Sequence, residues 1–224
     1  MTPTDQRGYV TASQAMRADG HVPNEQTPSG PGRFTMKADP RPVALHAVYG
    51  AERQRRTQAE KWLYAAATSR EVAASEWAGQ GVALLTAGTM WDAVRVPYAV
   101  LDPNLERDTA PARRRLNELQ LAGPVFCDPY RLYLYVLVPP STDRQWPSTL
   151  APAGVVCLGG TRSYIHHVGV PRLDRTAPPG PHWLTPPDGT GRLTDFQHLY
   201  QVLHARAGEV AKLDAPMSAP QVIA

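Results

Sequence analysis

The sequence predicts an α+β domain (α/β or α+β in class) in which helices flank a mixed sheet. Its helix and strand patterns run in the order helix, two strands, helix, four strands and helix, which is typical of this class. Hydrophobic residues make up 42% of the 224 residues, enough for the core of one domain. The 23 prolines and 17 glycines gather mainly at both ends and in one late loop, so we expect the folded part in the centre.

The two ends of the chain are predicted to lie outside the domain. Residues 1–45 are polar and without periodicity, which is typical of a disordered tail. The domain is predicted over 52–207 and a loose tail over 208–224. No apolar run approaches about 18 residues, so we expect no membrane partner and a cytoplasmic location. Cys127 and Cys157 stand in apolar runs and are expected to be reduced core residues.

Helices are predicted from apolar residues at three- and four-residue spacing. The first covers 52–78, and Ser69 is a point at which it divides in two. A second begins near Thr109 and ends at a Gly-Pro pair. The last opens on a capping box, Thr194 to Gln197, and ends at Gly208.

Strands are predicted where short apolar runs are bounded by glycine or proline. The run 131–138 is continuously apolar or aromatic, so we expect it at the centre of a covered sheet. Gly159-Gly160 is predicted to be the hairpin turn between the last two strands. Residues 176–191 are predicted to form a Pro-rich loop. The predicted strands cover 81–88, 91–97, 124–127, 131–138, 154–158 and 164–170.

The positive charge of the chain is almost entirely arginine. The net charge of +3 is too small to predict nucleic-acid binding by itself, but arginine suits bidentate phosphate contacts. Arg95, Arg131 and Arg162 would form a basic floor for an anion on the sheet. Arg113 and Arg114 begin a basic run on the second helix and would contact phosphates. Ordinary solvated arginines are the alternative for both groups.

Other polar residues give weaker signals. Asp92 and Asp128 are weak candidates for catalytic acids, with strand-end capping and turn formation as their alternatives. The adjacent His166 and His167 are expected on opposite faces of a strand, which excludes chelation of one metal ion. Tyr130, Tyr133 and Tyr135 are expected either to stack on bases or to pack in the core. The sequence has no serine-hydrolase, zinc-protease or Cys-x-x-Cys motif.

Five segments in order carry a resemblance to a known family. They are a helix running into the first strand, a second strand, a central hairpin, a last strand pair and a closing Trp-Leu-Thr-Pro-Pro, at 73–85, 91–97, 123–138, 155–168 and 183–187. Together they resemble the N-terminal domain of bifunctional DNA primase/polymerases, an archaeo-eukaryotic primase-like domain. The similarity is greatest to small stand-alone actinobacterial versions without a helicase domain.

The resemblance implies a site for two-metal phosphoryl transfer, yet the acids of that site are replaced. The family's acid-x-acid pair corresponds to Arg95 and Pro97, and its third acid corresponds to Cys157. Its phosphate-contacting histidine falls in Arg131-Leu132-Tyr133, where no histidine stands. The resemblance therefore implies a catalytically degenerate domain that binds nucleic acid or nucleotide, in DNA replication or in a mobile element, without a cofactor.

Two alternatives stay open from the sequence. One is an active DNA primase/polymerase that binds Mg²⁺ or Mn²⁺ through acids at other positions. The other is a scaffold that binds a protein partner, unrelated to nucleic acid, through its Pro-rich loop and tails.

Overall fold

In the described part of the chain, seven short strands and a set of helices follow from the apolar runs and their Gly and Pro boundaries. The computed structural model describes residues 41–105, 109–160 and 164–213, with side chains over 48–105, 110–160 and 164–208. The helices are α1 (Arg41–Ala65), α2 (Arg70–Gly79), α3 (Tyr98–Leu101), α4 (Thr109–Glu118), α5 (Thr142–Gln145), a 3-10 helix (Ser148–Ala153) and α6 (Phe196–Leu213). The strands are β1 (Val82–Thr86), β2 (Asp92–Pro97), β3 (Val125–Asp128), β4 (Tyr133–Val138), β5 (Val156–Leu158), β6 (His167–Pro171) and β7 (His182–Thr185).

The strands form two antiparallel units. The main sheet has five strands in the order β5-β2-β4-β3-β7, so the apolar strand β4 is central, as predicted. Strands β1 and β6 pair with each other as a separate two-stranded ribbon. The predicted α+β class is confirmed. The prediction that the sheet is mixed is wrong, since every strand pair in the described part of the chain is antiparallel.

Each face of the main sheet is covered by different elements. Alternation along β2 sends Val94 and Val96 into a core with residues of α3, α4 and α6. Ala93, the residue before Val94, belongs to the other face of the sheet. It packs in a second core that includes Phe126 and residues of α1, α2 and the ribbon. The sheet is therefore the middle layer, and the ribbon lies over its second face.

Local signals explain several element ends. Ser69 divides the first predicted helix, because its hydroxyl caps α2 by accepting a hydrogen bond from Val72 N–H at 3.3 Å. Helix α1 begins at Arg41, inside the predicted tail over 1–45 and before the predicted start at residue 52, and Pro42 suits its first turn. The part of that tail before residue 41 lies outside the described residues.

The C-terminal helix differs from its prediction at both ends. Asp195 is the capping residue, since its carboxylate accepts a hydrogen bond from His198 N–H at 2.7 Å. Thr194 is buried and its N–H donates to Leu137 O at 3.0 Å, so the predicted capping box is wrong. The helix passes Gly208 and continues to Leu213, which extends it beyond the predicted domain end at residue 207.

Two predicted loops have other roles. Gly159-Gly160 is not a hairpin turn, because β5 pairs with β2 whereas β6 pairs with β1. The backbone at Gly160 instead packs closely against the backbone at Gly88. A Cβ on Gly88 (φ 97°) would lie 2.5 Å from Gly160 N, so this approach needs glycine. The Pro-rich segment contains the edge strand β7, which pairs with β3. None of the described helices is both long and apolar enough to span a bilayer.

Candidate functional site

An open groove lies between the ribbon and the second face of the main sheet. Its cavity volume is about 530 Å³. The sheet contributes its floor from β2, β3, β4 and β5, and the ribbon contributes one wall. The lining residues are Val82, Leu84, Arg95, Phe126, Asp128, Arg131, Tyr135, Leu158, His166, His167, Val168, Gly169 and Pro181. Two of the predicted phosphate-binding arginines are therefore brought together.

Strand register places the floor residues side by side. Arg95 lies opposite Tyr135 in the β2–β4 pair, and Tyr135 lies opposite Phe126 in the β3–β4 pair. The rings of Phe126 and Tyr135 stack with centroids 4.7 Å apart and planes 6° apart. Burial raises the pKa of Tyr135 even though the positive charge of Arg95 opposes this, so its phenol stays neutral. The floor is a row of one guanidinium and two aromatic rings.

Arg95 is the most unusual group on this floor. Its guanidinium carbon lies 4.9 Å from the ring centroid of Tyr133, a cation–π contact that fixes the side chain. Its Nε is buried and has no hydrogen-bond partner among the described residues. A buried unpaired donor costs about 1–3 kcal/mol, and more when it is charged. Arg95 as a whole is only half-buried and lines the open groove, so its positive charge favours a negatively charged ligand there.

Arg131 reaches the groove from the β3–β4 turn. Asp128 shapes this turn, since its Oδ1 accepts hydrogen bonds from the N–H groups of Tyr130 at 3.1 Å and Arg131 at 3.3 Å. Its Oδ2 lies 3.7 Å from Arg131 Nε, while the Arg131 side chain is 76% exposed. So loose a pair leaves the guanidinium free to contact a ligand. Asp128 thus has the turn role that was the alternative to catalysis.

The two adjacent histidines both border the groove. They were expected on opposite faces of one strand, but β6 begins only at His167, so the alternation does not include His166. His166 is held by a hydrogen bond of 2.8 Å between its Nδ1 and Gly159 O. No group of three metal-ligating side chains occurs within the described ranges.

Asp92 lies away from the groove. It stands three residues before Arg95, so its side chain belongs to the other face of the strand, and it is fully buried. Its Oδ2 accepts a hydrogen bond of 2.8 Å from Asp143 N–H. Burial raises its pKa to about 6, a shift that the backbone N–H groups of α5 oppose. Asp92 anchors α5 to the sheet, and its neighbour Asp143 is also buried, so neither acid is open to a ligand.

The remaining predicted arginines are not brought to the groove. Arg113 donates hydrogen bonds to the carbonyls of Thr176 and Trp183, the latter at 3.1 Å, so it fastens the Pro-rich segment. Arg114 is exposed on α4, a helix that packs on the opposite face of the sheet. Arg113 and Arg114, predicted as separate phosphate contacts on the second helix, therefore do not share the groove with Arg95. Arg162 lies outside the described residues.

A buried Cys–His contact was missed by the sequence analysis. Cys127 Sγ lies 3.5 Å from His182 Nε2, and both residues are fully buried. Burial raises the pKa of Cys127 and lowers the pKa of His182, so the pair is an uncharged thiol and imidazole rather than an activated nucleophile. No spacing rule relates these residues, since β3 and β7 become neighbours only in the folded sheet.

Comparisons with protein-family models, curated proteins and solved structures find no match for this chain. The resemblance to primase/polymerases therefore stays a prediction that rests on the quoted segments. The groove itself argues against a two-metal centre. Of the described residues that line it, only Asp128 is acidic, and its Oδ1 is occupied by backbone N–H groups. Such a centre needs several carboxylates, so the residues present do not fit two divalent ions.

Proposed function

We propose that the groove binds the phosphate groups of a nucleotide or nucleic acid and catalyses no phosphoryl transfer. The observation that carries this proposal is Arg95, a half-buried guanidinium on the floor of an open groove that forms no ion pair with a carboxylate among the described residues. Arg131 adds a second guanidinium at the rim. Guanidinium groups match phosphate oxygens in geometry and remain charged when partly desolvated.

Charge decides between binding and catalysis in this proposal. A polymerase site must hold cations, and cations are repelled by the two arginines that line this groove. Phosphate ligands have the opposite requirement. A role in DNA replication or in a mobile element rests on the family resemblance alone. A cytoplasmic location suits the two cysteines, Cys127 and Cys157, neither of which forms a disulfide.

A direct binding titration tests the proposal. Fluorescence anisotropy of a labelled oligonucleotide, with nucleoside triphosphate as competitor, is measured in EDTA and again with Mn²⁺, each at low and moderate salt. We expect binding in EDTA that weakens with salt, and no nucleotide incorporation with Mn²⁺. Binding that requires Mn²⁺ would support the active alternative instead. Absence of any binding at low salt would refute the proposal and leave the protein-binding scaffold as the better hypothesis.

A further inference from the structure

The groove is flanked by most of the strongly exposed apolar and aromatic side chains in the described part of the chain. Eight such large side chains are exposed there, of which three lie on α1 and α2. Leu84 lines the groove, two of the others flank the lining residue Arg131, and the last two directly precede the lining residue His166. The five at the groove are Leu84, Tyr130, Leu132, Tyr164 and Ile165. Clustered exposure of this kind marks a binding surface rather than random scatter.

The two tyrosines stand at opposite sides of the groove. Tyr130 follows β3 and is 61% exposed, close to the Gly180–Pro181 wall, since a Cβ on Gly180 would lie 3.9 Å from its ring. Tyr164 follows β5 and is 66% exposed, with its ring centroid 4.7 Å from that of His166. Strands β3 and β5 are three strand spacings apart, about 14 Å across the sheet. The two strands run in opposite directions, so their C-terminal ends, which the tyrosines follow, lie farther apart than that.

Charge and aromatic surface occur here in the arrangement that unpaired bases require. The basic floor formed by Arg95 and Arg131 suits a phosphate backbone, and each exposed ring offers a π-face on which a base stacks. Bases in a duplex are already stacked and paired, so they do not reach such rings. A single mononucleotide is too short to contact both rims and the floor together.

We infer that the groove holds an extended single strand of nucleic acid, with bases stacked on Tyr130 and Tyr164 and phosphates on Arg95 and Arg131. This inference rests on the proposed function and adds the ligand class and the two stacking residues. It excludes duplex and mononucleotide as the preferred ligand. Stacking does not depend on the sugar, so DNA and RNA strands share this chemistry.

The test compares ligands and tyrosine variants in one anisotropy series in EDTA. Labelled oligo-dT and oligo-rU of about 12 nucleotides are titrated beside a hairpin duplex of equal length, with nucleoside triphosphate as competitor. We expect at least one single strand to bind more tightly than the duplex. The stronger of the two single strands identifies the natural sugar.

Variants then place the bases. Tyr130→Ala and Tyr164→Ala are each expected to weaken single-strand binding about 5- to 100-fold, whereas Tyr130→Phe and Tyr164→Phe keep it within about twofold, because stacking needs the ring and not the hydroxyl. The matched control is Tyr49→Ala, which removes a tyrosine that is 66% exposed on α1 and does not line the groove. Both tyrosines are exposed, so unchanged thermal unfolding is expected for every variant.

Failure of this inference differs from failure of the proposed function. If phosphate ligands bind but the alanine variants at Tyr130 and Tyr164 match Tyr49→Ala, stacking is refuted while phosphate binding stands. Duplex binding at least as tight as that of the stronger single strand would also overturn the inference. If neither strand nor triphosphate binds at low salt, the proposed function fails and this inference fails with it.

Discussion

At the scale of single residues, Asp92 is a buried acid with a structural rather than a catalytic role. Its carboxylate has no solvent exposure, and its Oδ1 has no hydrogen-bond partner among the described residues. Its pKa is raised from 3.8 to about 6, with burial as the largest cause. In the folded protein the protonated form is therefore favoured more than in the unfolded chain.

Replacing Asp92 with asparagine is expected to stabilise the protein at high pH. When folding raises the pKa of an acid, the protonated acid stabilises the folded protein at any pH below the pKa that it has in the unfolded chain. This stabilisation is lost as the pH rises from about 4 to about 6. Asp92→Asn keeps an acceptor for Asp143 N–H without the buried charge. Urea unfolding at about pH 8 should give a free energy about 1–3 kcal/mol above that of the wild type, with little difference near pH 4.

The control is Asp188→Asn, at an exposed acid whose pKa is lowered by hydrogen bonds from Thr190. This variant should not be more stable than the wild type at about pH 8. Asp92→Asn with lower stability than the wild type at that pH would show that the ionised carboxylate is needed, as a cation-binding role requires.

Asp128 distinguishes binding from metal catalysis at a single residue. Asp128→Asn keeps an oxygen for the N–H groups of Tyr130 and Arg131 and removes a negative charge from the groove. Phosphate affinity should rise about three- to tenfold, because one repulsive charge is removed at short range. The dissociation constant for nucleoside triphosphate in EDTA is the measurement. A loss of affinity, or of a Mn²⁺-dependent activity, would instead indicate that the carboxylate has a catalytic role.

At the scale of elements, α4 is tied to the sheet by one of its arginines and not by the next. Arg113→Ala removes the donor to the carbonyls of Thr176 and Trp183, so the free energy of unfolding should fall by about 1–3 kcal/mol. Arg114→Ala removes the same charge from a side chain that is exposed like Arg113 but makes no such hydrogen bonds, and it should change the free energy of unfolding by less than about 0.5 kcal/mol. Chemical denaturation compares the two variants, and equal effects would contradict the assigned role of Arg113.

Elements with a strong local pattern were predictable, and elements defined by distant partners were not. The continuous apolar run of β4 predicted its central position, and Ser69 predicted the break between α1 and α2. Strand β7 has only four residues in a Pro-rich segment, and its pairing with β3 decides its structure. The hairpin predicted at Gly159-Gly160 is wrong because β6 pairs with the distant strand β1 and β5 pairs with β2, so the two strands next to the glycines are not partners.

At the scale of the whole molecule, the site depends on how the ribbon folds back over the sheet. Arg95 and Arg131 were predicted as phosphate-binding residues from their residue type, and both line the groove. It did not predict that Leu84, His166 and His167 form the opposing wall, because the β1–β6 pairing joins segments about eighty residues apart. The face that carries Arg113 and Arg114 was not predictable for the same reason, since no local pattern tells which sheet face a helix covers.

The net charge of +3 limits long-range attraction, so affinity must come from a few local contacts. Two arginines that contact phosphates predict a shallow salt dependence, with a slope of about −1.4 for a single strand. Each lost contact should reduce this slope by about 0.7.

The most direct test of phosphate binding in the groove is the affinity of Arg95→Ala compared with Arg114→Ala. Both variants remove one arginine charge, on opposite faces of the same sheet. Oligonucleotide binding in EDTA should weaken at least about tenfold in Arg95→Ala, with the smaller salt slope, and stay within about twofold of the wild type in Arg114→Ala. Arg95→Lys keeps the charge and serves as the control for loss of fold. It should bind the oligonucleotide better than Arg95→Ala does. Equal affinities for Arg95→Ala and Arg114→Ala would contradict a phosphate site in this groove.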